Sequence, residues 1–92
     1  MAHFEMAIAL AEFERQLQPL LDGWVVDRLD SGWRLRQEGR VVEIFLQLLP
    51  VRRIGLLELP RLAVEIGFEA CSKEDEAHFL QRFQRYFQRG GG

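Results

Sequence analysis

The 92-residue chain contains no asparagine and no threonine. It has two serines (Ser31, Ser72), one lysine (Lys73), one cysteine (Cys71), one tyrosine (Tyr86) and two histidines (His3, His78). Nucleophiles, general bases and metal ligands come mostly from these scarce types, so the composition argues against an enzyme and against a bound metal. A single cysteine excludes an internal disulfide, and no Cys/His spacing resembles a zinc site. No P-loop, dinucleotide fingerprint or nucleophile elbow is present, so no cofactor is expected. No apolar run approaches the roughly 20 residues of a membrane helix. The segment Met1–Met6 carries Glu5 and no Lys or Arg, unlike a secretory signal. The expectation is a cytoplasmic chain without a membrane role.

What remains is a well-patterned globular composition, 48% hydrophobic and 28% charged, with eleven arginines. Arginine in place of lysine fits a GC-rich, bacterial-like coding sequence; it also suits planar, bidentate contacts to carboxylates and phosphates. The net charge of −2 gives no whole-chain reason to bind nucleic acid. The length corresponds to one domain, taken as residues 1–89, followed by a flexible glycine tail at 90–92.

Met6, Leu10, Phe13, Leu17 and Leu20 alternate in steps of four and three, which predicts a helix over 4–21. Pro19 should end or kink it near Gln18. Strand-like runs follow at 24–29, 33–37 and 40–49, and a fourth at 56–69, beginning in earnest after Pro60. Asp30-Ser31-Gly32 and Glu38-Gly39 read as turns. Pro50 should end the third strand, with 51–55 a loop. Leu62, Val64, Ile66 and Phe68 alternate with Ala63, Glu65, Gly67 and Glu69. Ser72 predicts an N-cap that accepts from the Asp75 amide, opening a second helix that runs to Arg89 with Gly90 beyond it. The expected fold class is α+β: a two-layer sandwich of order αββββα, a four-stranded antiparallel meander with two helices on one face.

Three functional readings follow. The leading one is a non-catalytic protein–protein interaction domain, an adaptor or accessory subunit that self-associates as a homodimer or docks on a larger protein. Its contact residues would be Phe4, Ile8 and Ala11, a second apolar face on the first helix, or Phe45 and Leu49 on the open face of the sheet. The second is binding of nucleic acid or another polyanion through Arg52, Arg53, Arg82, Arg85 and Arg89. The helix–strands–helix order with a basic second helix is similar in topology to double-stranded-RNA-binding domains. Those domains place lysines where this chain has Glu74-Asp75-Glu76, so the likeness carries no function. The third is an acyl or sulfur carrier, since Gly90-Gly91-Gly92 is similar to the C-terminal handle of ubiquitin-like proteins. Cys71 reads as a small half-buried thiol, and Trp24 and Trp33 as hairpin residues that could pair.

Overall fold

A computed structural model describes residues 1–87. The element order is β1 (Ala2–Met6), α1 (Leu10–Leu21), β2 (Val25–Leu29), β3 (Gly32–Gln37), β4 (Arg40–Ile54), β5 (Leu57–Glu69) and α2 (Lys73–Phe87). The class is α+β, with two helices and an open five-stranded antiparallel sheet in the order β1-β5-β4-β3-β2. Five strands, not four, are present, because the start of the expected first helix is a strand. Ala2, Phe4 and Met6 lie opposite Ile66, Val64 and Leu62 of β5. That pairing completes the backbone hydrogen bonds of β5's outer edge, which an isolated helical turn at the terminus would leave open.

The chain then has to cross from one edge of the sheet to the other, because β1 and β2 are the two edge strands. Four inter-strand gaps span roughly 19 Å at about 4.8 Å each. The twelve residues of α1 span about 18 Å at 1.5 Å per residue. The helix is therefore as long as the sheet is wide. Pro19 sits inside its final turn, and the helix continues only to Leu21 before the Asp22 amide bonds back to the Pro19 carbonyl. Asp22 and Gly23, the latter at φ +86°, then release the chain toward β2.

From β2 onward each strand pairs with the next. Leu29 faces Gly32 across Asp30-Ser31. Gln37 faces Arg40 across Glu38-Gly39, where φ is +49° and +81°. Two positive φ values in a two-residue loop define a type I′ turn, whose twist matches the strands it joins. Gly32 is required for packing, because a Cβ there would lie 1.8 Å from the Ile44 carbonyl oxygen.

The core is one cluster. Phe13, Leu17 and Leu20 of α1 and Phe79 and Phe83 of α2 meet Trp33, Leu35, Val42, Ile44, Leu62, Val64 and Ile66 of the sheet. Phe13 stacks on Phe87 with ring centroids 4.6 Å apart and on Trp33 at 6.0 Å. Arg28 lies 4.6 Å over the Trp33 ring and reaches Glu14 of α1 at 3.2 Å. Trp24 does not pair with Trp33; its ring meets Phe79 edge-on at 5.9 Å. At the start of α2 the Asp75 amide donates to the Ser72 hydroxyl and the Ser72 amide to the Asp75 carboxylate, each at 3.0 Å. This is a reciprocal capping box with Asp in the usual Glu position. The expected helix end at Arg89 and the tail at 90–92 lie outside the described residues.

Candidate interaction surface

Pro50 does not end β4. The strand runs on to Ile54, and β5 is one strand from Leu57 to Glu69. Register pairs Leu49 with Arg61 and then Arg52 with Leu59. Pro50 and Val51 therefore stand opposite Pro60 alone, a two-against-one β-bulge. Both prolines fall where the ladder is already interrupted, so their missing N–H groups break no regular pair. The strands resume as Arg53–Glu58 and Ile54–Leu57, and Gly55 at φ +61° begins the closing turn.

Neighbouring strands cover only part of this hairpin. β3 pairs with β4 as far as Phe45, and β1 pairs with β5 only from Leu62 onward. Gln47–Ile54 and Leu57–Arg61 thus form a two-stranded ribbon projecting past the sheet. The fifteen residues of β4 span about 50 Å at roughly 3.3 Å each, which accounts for the molecule's longest dimension of 48 Å.

The ribbon is apolar where a solvated hairpin would be polar. Leu48 is 69% exposed, Val51 50%, Ile54 51% and Leu57 63%, while Leu56 at the turn is fully exposed. These are five of the ten large apolar side chains that stand exposed among the described residues. Alternation places Leu49, Arg52, Ile54, Leu57 and Leu59 on the face turned away from the helices, continuous with the open face of the sheet. Arg53 and Glu58 form an ion pair of 2.8 Å on the other face.

The open face of the sheet is laced with cross-strand ion pairs. Arg34 meets Glu43 at 2.7 Å, Arg36 meets Asp27 at 3.1 Å and Arg61 meets Glu5 at 2.6 Å. His3 approaches Glu65 at 3.9 Å. Phe45 and Leu49 lie among them, half-buried.

The structure separates the remaining candidates. Ile8 is 6% exposed and belongs to the core, and Phe4 is a half-buried β1 residue whose ring is 5.2 Å from that of Phe83. Ala11 is exposed on α1. The second helical face built from these three does not exist, because two of them precede the helix. Arg52 and Arg53 stand on the ribbon, whereas Arg82 lines a cleft of about 260 Å³ with Arg40, Gln37, Trp24, Cys71 and His78. Arg40 and Arg52 are twelve residues apart on one strand, about 40 Å at the strand rise, so the expected arginines do not form one patch. Arg85 is exposed on α2, and Arg89 lies outside the described residues.

In that cleft Arg40 is committed to Asp75 at 3.1 Å and to Gln37 at 2.8 Å. The Asp75 carboxyl is held below its ordinary value, chiefly by the hydrogen bond from the Ser72 amide. Partial burial opposes this, and the Ser72 hydroxyl and Arg40 add to the lowering. Cys71 is half-buried, its thiol 3.4 Å from the Glu69 carbonyl oxygen.

The ribbon was not among the expected contact residues beyond Leu49, Arg52 and Arg53. Its signal in the sequence is the run Ile54–Leu59, four aliphatic residues around one glycine beside two prolines. No helix among the described residues is long and apolar enough to cross a membrane. No protein-family model matches the chain, and no curated protein matches its sequence.

Proposed function

We propose that this chain is a non-catalytic protein–protein interaction module whose contact element is the β4–β5 ribbon. The observation that carries the reading is the concentration of exposed Leu48, Val51, Ile54, Leu56 and Leu57 on one projecting hairpin. Single exposed leucines are ordinary on a protein surface, but a concentration of them on one projecting element marks a site that a partner covers. The ribbon continues the β4–β5 ladder out of the sheet, so part of its order is in place before binding. The setting we propose is the cytoplasm, where a lone thiol such as Cys71 stays reduced.

The test is affinity capture from nuclease-treated lysate with wild-type protein, a Leu56→Asp/Leu57→Asp variant and an Arg82→Glu/Arg85→Glu variant. A stoichiometric protein, tagged or untagged copies of the chain included, should be lost from the ribbon variant alone. Capture that survives the ribbon change and disappears with the helix change would refute the reading in favour of polyanion binding.

A further inference from the structure

We propose that the occupant of the ribbon is a second copy of this chain, and that each copy lays its ribbon across the open sheet face of the other. The inference rests on the interaction reading above and names the partner.

Three observations converge on it. The first concerns how the ribbon can bind. Its outer edges lack strand neighbours, but Pro50, Pro60 and the bulge interrupt them. Such features blunt an edge against strand addition. The exposed aliphatic groups are on the faces, so the ribbon docks by side chains, as one sheet packs on another.

The second is charge. The ribbon carries Arg52, Arg53, Arg61 and Glu58, an excess of two positive charges, and Arg52 has no ion pair among the described residues. The open face beyond the ribbon presents Glu5, Asp27, Glu43, Glu65 and Glu69 against Arg34 and Arg36, an excess of three negative charges. The ribbon of one copy and the open face of another are complementary, whereas two ribbons facing each other would oppose Arg52 to Arg52.

The third is area. On the docking face Ile54 and Leu57, with Leu56 at the tip, offer roughly 150–250 Å² of exposed apolar surface at the side-chain areas implied by transfer energies. A stable interface needs about 800 Å² on each partner. A two-fold arrangement makes every copy both donor and receiver, which uses the ribbon and the face around Phe45 and Leu49 twice and so doubles the area each copy contributes toward that size. Insertion of the ribbon alone into an unrelated protein would use it once.

The experiment is sedimentation equilibrium of purified full-length protein with three variants, Leu57→Asp, Arg52→Glu and Phe45→Ala, and circular dichroism melts to verify folding. The expected result is a wild-type dimer. Leu57→Asp and Phe45→Ala should each weaken it at least tenfold, and Arg52→Glu severalfold, with steeper loss at low salt. Melts at dilute, monomeric concentration should show all variants folded. A wild-type monomer at about 200 μM, well above ordinary homodimer dissociation constants, overturns the proposal, as does a dimer that ignores Leu57→Asp. A dimer that loses affinity with Leu57→Asp but not with Phe45→Ala overturns the open face as receiver. A monomeric protein whose ribbon still captures a different protein overturns the second copy and leaves the interaction reading standing.

Discussion

Ile8 and Leu56 are both aliphatic, and the structure gives them opposite environments. Replacing Ile8 by Ala removes three carbon groups from a side chain that is 6% exposed. At about 0.8 kcal/mol per buried group the transfer loss is about 2.4 kcal/mol. The space left behind raises the expected cost into the range of about 2–5 kcal/mol. A chain of this length has a total stability of roughly 5–14 kcal/mol. The melting temperature should therefore fall by about 8–40 °C at 4–8 °C per kcal/mol. Leu56→Ala, at a fully exposed hairpin turn, should change stability by less than about 0.5 kcal/mol. The assay is urea unfolding followed by tryptophan fluorescence, at a concentration low enough that association adds nothing to either midpoint. Equal costs for the two substitutions, or a cost below about 0.5 kcal/mol for Ile8→Ala, would refute the docking of Ile8 against the core.

Gly32→Ala should destabilise by about 3 kcal/mol or more, since its Cβ meets backbone rather than a movable side chain; urea titration reads this directly. Glu38→Asn should stabilise by up to about 1 kcal/mol, because Asn tolerates the positive φ that strains Glu, while the lost contact to Arg40 is an exposed one of little value. Ser72→Ala should cost about 1 kcal/mol through loss of the helix cap, visible as a lower thermal midpoint. The Asp75 carboxyl is held below its ordinary value of 3.8. Its contribution is present above that value and is lost as pH falls through the lower folded value. Urea melts of wild type and Asp75→Asn should therefore differ at about pH 7 and converge as the pH falls below the ordinary carboxylate range; a difference that grows on acidification would reverse the sign.

Local chemistry made part of this fold legible. The turns at Asp30-Ser31 and Glu38-Gly39, the Ser72–Asp75 cap and the alternation from Leu62 to Phe68 each depend on residues close in sequence. Residues 2–6 were not legible. Ala2, Phe4 and Met6 do alternate at period two, but Met6, Leu10, Phe13 and Leu17 also satisfy a helical period. The choice between them is made by β5, some sixty residues downstream. Pro50 misled for a related reason. A proline ends a regular strand, yet a bulge opposite Pro60 absorbs it, and that compensation exists only once the two strands are paired. The ribbon was missed because leucines read alike whether a core or a partner covers them. Only the shorter reach of β1 and β3 shows that nothing among the described residues covers Leu48, Leu56 and Leu57.

Amide hydrogen exchange at two protein concentrations tests the central claim most directly. At about 1 μM the backbone of residues 47–61 should exchange readily, as expected for a two-stranded ribbon without outer neighbours. At about 200 μM the account predicts slower exchange in 47–61 and in the strands around Phe45, with the two helices unchanged. Identical exchange in 47–61 at both concentrations would contradict it.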